Sequence, residues 1–216
     1  MQSGDAALRE EMVAVCRRMN ETGINQGTSG NLSIRCEDGI LITPSSLPYE
    51  RMVPADLVVL RPDGAVDGAR APSSEWRFHR DILAARPDIA VVLHCHSLNA
   101  TALAVHGHGI PAFHYMIALA GGPDIRCSRY ETFGTQELSD AALEALEGRV
   151  ACLLGHHGQI SLGTTLDGAL RLAVEVETLA AIYVAARVLG EPPVLPEDEI
   201  ERVRMKIRAM GYGPRG

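Results

Sequence analysis

Ala90-Val91-Val92-Leu93-His94-Cys95-His96 is apolar for four residues and then sets a histidine on each side of a cysteine. The run predicts a buried strand. Side chains alternate across a strand, so His94 and His96 share one face, roughly 7 Å apart along the chain. Two imidazoles at that spacing can share a metal ion. Two separately hydrogen-bonded polar residues at a strand end would give the same pattern.

Outward from this strand the chain alternates element types. Before it, residues 73–86 have helical spacing between Pro72 and Pro87. Further upstream, Asn31 to Arg35 and Ile40 to Thr43 read as a hairpin turning near Asp38-Gly39, and Leu57 to Leu60 as another strand. Leu8, Met12, Cys16 and Met19 predict a helix over 5–20, with Asp5 as its cap. After the strand come helices over 97–106 and 136–147, then strands over 150–154 and 159–162. A long buried helix over 165–189 and a charged one over 197–210 close the chain. The expected fold is α/β of the α+β type, a central, mainly antiparallel sheet flanked by helices. No linker or repeat divides it, so residues 1–216 are expected to form a single domain.

The 216 residues are 46% hydrophobic but only 4% aromatic, so the core must be aliphatic. A net charge of −7 without a Lys/Arg tract argues against nucleic acid as a partner. No run reaches the length of a membrane span, and residues 1–20 lack the apolar stretch of a signal peptide. Five single cysteines, with no CxxC pair, read as reduced thiols of a cytoplasmic protein.

Other residues carry polar chemistry at element ends. His156-His157 follows a strand, and adjacent histidines point opposite ways, so at most one can join a given metal. Glu75 precedes a helix, where a carboxylate also serves as a partner for the helix dipole, and Ser73 and Ser74 read equally as caps. His106 and His108 read as loop polar groups. Two hydroxyl-rich turns, Gly27-Thr28-Ser29-Gly30-Asn31 and Thr43-Pro44-Ser45-Ser46, can offer backbone N–H groups to an anion.

Taken in order, GTSGNLS at 27–33, TPSS at 43–46, PSSEWRFH at 72–79, HCH at 94–96, HYMIALAGG at 114–122, ETFGT at 131–135 and GHHG at 155–158 resemble the class II aldolases. The resemblance covers nearly the whole chain and is nearest to the L-fuculose-1-phosphate aldolase branch. It implies one Zn²⁺ per subunit held by His94, His96 and His157, with Glu75 as the fourth ligand before substrate binds. It implies a phosphate site of Thr28, Ser29, Asn31, Ser45, Ser46, Ser73 and Ser74. Tyr115 would act on the aldehyde oxygen across a subunit boundary of a homotetramer, and Phe133 and Tyr212 would line the aldehyde site. Ser46 stands where the family usually has glycine.

The implied reaction cleaves a phosphorylated ketose, of the L-fuculose 1-phosphate type, reversibly into dihydroxyacetone phosphate and an aldehyde such as L-lactaldehyde. Its difficulty is the enediolate charge, which a three-histidine zinc with open positions would stabilise while Glu75 moves the proton. Alternatives within this resemblance are a 5-deoxyribulose or 5-methylthioribulose 1-phosphate aldolase of a salvage route, a pentulose-phosphate 4-epimerase, and a metal-free scaffold like the adducin head domains.

Overall fold

The computed structural model describes residues 3–211. Tyr212 lies outside them. The first helix, α1 (Ser3–Glu21), buries Met12, Cys16 and Met19 along one stripe. Asp5 lies inside its first turn and pairs with Arg9 at 3.1 Å, so it is not the cap that the sequence suggested.

The polypeptide then lays down β1 (Asn31–Cys36) and β2 (Gly39–Ile42) as the expected antiparallel hairpin, with Ser33 opposite Ile42. Next come β3 (Val58–Leu60) and β4 (Val66–Asp67), followed by α2 (Trp76–Ala85) and the central strand β5 (Val91–Cys95). Helix α3 (Leu98–Val105) follows directly, then the short strands β6 (Ile110–Pro111) and β7 (Asp124–Cys127) around a 3-10 helix at Tyr115–Ala120. The remaining elements are α4 (Gln136–Ala145), β8 (Ala151–Leu154), β9 (Gly158–Gly163), α5 (Leu166–Arg187) and α6 (Glu197–Ala209). Thr135 and Thr165 cap α4 and α5, each hydroxyl accepting from a backbone N–H of the first turn.

These nine strands form one sheet in the order β4-β3-β2-β1-β5-β9-β8-β7-β6. Every neighbouring pair is antiparallel except β7 with β8. The period-2 alternation of β5 decides what lies on each face. Val91, Leu93 and Cys95 pack against α1 and α5, whereas Val92 packs against α2 and α4. Both faces are thus covered, and the sheet sits between helical layers. His94 follows Val92 by two residues and so faces α2. On the neighbouring strand, Asn31 lies opposite His94 and Ser33 opposite Val92, which puts three polar side chains on the same buried face.

Among the described residues no helix is long and apolar enough to cross a membrane.

Candidate metal centre

The centre forms where β5, the turn between β8 and β9, and the entrance to α2 converge. His94 and His96 come from the end of β5, on one face as their spacing requires. His157 comes from the turn after β8. The preceding His156 takes a left-handed φ of 55° and turns outward against Tyr130, with ring centroids 5.7 Å apart. Of the adjacent pair, His157 alone therefore enters the cluster. Gly158 makes the turn possible, because a Cβ there would stand 2.5 Å from the Cys95 carbonyl and 2.9 Å from the His96 ring.

Ligand atoms of His94, His96 and His157 all lie within 4.8 Å of one another. The Nε2 atoms of His94 and His96 are 3.0 Å apart. His94 Nδ1 donates to the Gln159 carbonyl at 2.9 Å, which fixes the tautomer and leaves its Nε2 as a lone-pair donor facing the cluster. Burial, with the neighbouring imidazoles adding to it, depresses the pKa of His94 and of His157 to about 3, and burial lowers that of His96. The three rings are neutral at pH 7, as ligation requires.

Glu75 stands at the N-cap of α2 but makes no side-chain cap. Its carboxylate points into the cluster instead, with Oε2 3.3 Å from His94 Nε2 and Oε1 3.3 Å from His157 Nε2. The residue is only 5% exposed, and Oε1 has no hydrogen-bond partner. A buried carboxylate oxygen facing unprotonated imidazoles is costly unless a cation lies between them. Ligands at 2.0–2.1 Å around a tetrahedral ion stand about 3.3 Å apart. The donor set therefore fits a divalent metal, and His94, His96 and His157 could hold it with Glu75 beside them.

This burial makes the metal-free protein acid-sensitive. Below pH 6.5 the unfolded chain protonates these histidines, while His94 and His157 stay neutral in the fold until about pH 3. The unfolded state then binds more protons, so stability falls on acidification, by up to about 1.4 kcal/mol per pH unit for each such histidine. Urea midpoints of the chelator-stripped protein are expected to fall from pH 7.5 to pH 5. A midpoint that rises would mean the rings are charged in the fold.

The hydroxyl-rich turns gather on the same side. Thr43 and Leu32 exchange contacts through Thr43 N to Leu32 O at 3.0 Å and Leu32 N to Thr43 Oγ1 at 3.2 Å. Ser73 N donates to Thr43 O at 2.9 Å and Ser45 N to Ala71 O at 3.1 Å, which holds 43–46 alongside 71–74. Ser45, Ser46 and Ser74 are exposed there, and so are Thr28 and Ser29 on the turn leading into β1. Ser73 is buried, its hydroxyl accepting from Glu75 N at 3.3 Å. Ser46 has a φ of 59°, the left-handed region in which glycine carries no penalty.

The remaining candidates are more dispersed. Phe133 is 65% exposed, on a loop held near α2 by Arg77, which donates to Gly134 O at 2.6 Å. Tyr115 is 51% exposed and lines a groove with Leu119 and, from α6, Arg202, Val203 and Lys206. None of the histidine ligands lines that groove. Gln159 beneath His94, and Ser33 and His79 behind Glu75, were not singled out in the sequence. The only hints there were the polar alternation Asn31-Leu32-Ser33 inside a strand and the four-residue step from Glu75 to His79.

Known proteins resemble this chain along nearly its whole length. The family profile described as Class II Aldolase and Adducin N-terminal domain matches residues 10–184. A 5-methylthioribulose-1-phosphate/5-deoxyribulose-1-phosphate aldolase from Rhodospirillum rubrum is 52% identical over 211 residues, covering 98% of this chain and 96% of that protein. An L-fuculose phosphate aldolase from Escherichia coli K12 is 44% identical over 205 residues, covering 94% and 95%. The solved structure of an L-fuculose 1-phosphate aldolase superposes with a TM-score of 0.91 at 39% identity, covering 94% of this chain and 97% of its own. With ordered motifs along nearly its whole length and a histidine cluster that fits a metal, the chain belongs to the class II aldolase family, a group of metal-dependent aldehyde-lyases.

Proposed function

We propose that the protein is a zinc-dependent aldolase that splits a ketose 1-phosphate reversibly into dihydroxyacetone phosphate and a short aldehyde. The observation that carries this reading is the buried Glu75 carboxylate, with Oε1 unpartnered against neutral imidazoles. A bound Zn²⁺ would supply Lewis acidity to the substrate oxygens where negative charge develops.

The chain's own residues then divide the work. The hydroxyls and backbone N–H groups around Thr28, Ser29, Asn31, Ser45, Ser46, Ser73 and Ser74 hold the phosphate, neutral donors suiting an anion in a protein of net charge −7. In the cleavage direction the C4 hydroxyl loses its proton, the C3–C4 bond breaks, and C3 gains a proton. Glu75 delivers the proton at C3, and Tyr115 handles the one at the aldehyde oxygen. Exposed Tyr115 and Phe133 support a site completed between subunits of a homotetramer. The single sheet supports one domain over 1–216, and five free cysteines support a cytoplasmic setting.

For the aldehyde half, the salvage-type substrates move ahead of L-fuculose 1-phosphate, because the salvage-aldolase relative is 52% identical and the fuculose one 44%. The substrates differ only beyond C4, in whether the released aldehyde carries an apolar methyl or methylthio tail or an additional hydroxyl. Release of dihydroxyacetone phosphate from 5-deoxyribulose 1-phosphate, 5-methylthioribulose 1-phosphate and L-fuculose 1-phosphate tests the assignment. We expect chelator-sensitive cleavage with kcat/KM highest for the first two by about tenfold or more, since a pocket discriminates by differential transition-state binding. Preference for L-fuculose 1-phosphate would reverse the order. No release by zinc-loaded protein would overturn the aldolase reading in favour of an epimerase or scaffold.

A further inference from the structure

Behind Glu75 runs a buried line of hydrogen bonds. Ser33 Oγ is 2.7 Å from His79 Nδ1, His79 Nε2 is 2.5 Å from Asn31 Oδ1, and Asn31 Nδ2 is 2.9 Å from Glu75 Oε2. All four residues are buried, and His79 and Ser33 are fully so. The direction of each bond follows by elimination. A carboxylate only accepts, so the amide must turn its NH₂ toward Glu75. Its oxygen then faces His79, whose Nε2 must carry the hydrogen. Nδ1 of the neutral ring must therefore accept, and the Ser33 hydroxyl donates to it. Burial pushes the His79 pKa well below its usual value, so the ring stays neutral.

We propose that His79 is a positioning residue that acts through Asn31, with Ser33 fixing its tautomer, to orient the Glu75 carboxylate in the metal centre. It touches neither substrate nor metal. The line pins Oε2 and fixes the rotation of the carboxylate, which leaves Oε1 as the oxygen free of hydrogen bonds and aimed at the His157 side. Asn31 Nδ2 has a second hydrogen, so this role is compatible with a phosphate contact by the same side chain. Helix α2 makes the arrangement possible, because Glu75 at its entrance and His79 one turn later lie on the same side, over the polar face of β1.

The inference rests on the aldolase reading for its catalytic consequence but not for its effect on metal affinity. Trp76, the single tryptophan, sits beside Glu75 and provides a fluorescence probe. Titrating Zn²⁺ into the chelator-stripped full chain, we expect His79→Leu to bind about tenfold more weakly, the usual effect of losing a hydrogen bond that orients a ligand. His79→Gln, whose amide keeps a donor toward Asn31, is expected to recover most of that loss. With saturating zinc, His79→Leu should lower kcat by about tenfold or more while KM moves less than about threefold. Ser33→Ala, a smaller change, carries the test should the leucine variant not fold, with zinc binding expected about threefold weaker.

Unchanged zinc affinity in folded His79→Leu, or in Ser33→Ala where the leucine variant does not fold, would overturn the proposal. Equal loss in the Leu and Gln variants, in step with lowered Tm, would also overturn it, since that marks a structural role. If the unmutated protein binds zinc yet cleaves no ketose phosphate, the aldolase reading fails while the affinity series still decides the role of His79.

Discussion

His157→Ala is expected to remove cleavage activity almost completely, by about 10³-fold or more at micromolar zinc, while leaving the metal-free protein folded. Two-thirds of the three-histidine set remains, but a ligand pair on one strand has far lower affinity than a closed set, and a weakly held ion stabilises little charge. The fold tolerates the change because His157 is on a turn and takes no part in the sheet ladder. Below about pH 6.5 its ring is a liability without metal, since burial and the His94 ring beside it hold its pKa down near 3. In that range removing it relieves the cost and offsets part of the cavity left behind. Metal per chain after dialysis, Tm with and without zinc, and product release together check this. The discriminating result is the zinc-induced rise in Tm, which should nearly vanish in the variant. A variant that keeps one zinc per chain and normal turnover would remove His157 from the ligand set.

The parts of this site that follow local rules were legible before the structure. Alternation in β5 put His94 and His96 on one face, and adjacency split His156 from His157; both follow from the geometry of an extended chain. Helices α3 to α6 are found at the spacings read, and α4, α5 and α6 follow Thr135, Thr165 and Pro196 at their N-caps. The short strands β4, β6 and β7 leave no signal in the sequence. Ile110-Pro111 and Asp124-Ile125-Arg126-Cys127 are too brief for a period to emerge; β7 exists because β8 offers it an edge, and β6 because β7 does. Helix α2 begins at Trp76, three residues later than its spacing suggested, because Ser73 and Thr43 pair as extended chain. The role of His79 depends on which strand passes under α2. That is a tertiary fact, which the four-residue step from Glu75 to His79 hints at but does not encode.

Glu75→Gln separates the two roles of this residue, as a ligand beside the histidines and as a proton carrier. Glutamine is nearly isosteric and its amide oxygen can still accept from Asn31 Nδ2, so the side chain is expected to stay in place. The NH₂ group then occupies the position of Oε1, which now lies 3.3 Å from His157 Nε2 and has no donor of its own. An amide there can donate to an imidazole but cannot take up or deliver a proton at C3. The three histidines are retained, so zinc should stay bound, at somewhat reduced affinity. The expected outcome is about one zinc per chain, KM within a few fold, and kcat lower by about 10²–10⁴, the range that a positioned acid–base group contributes. Hydrogen exchange at C3 of dihydroxyacetone phosphate, measured without any aldehyde, sharpens the result. It isolates the proton step from carbon–carbon cleavage and should fall by the same factor as kcat. If exchange survives while cleavage is lost, the proton carrier is a different group and Glu75 acts on the metal alone.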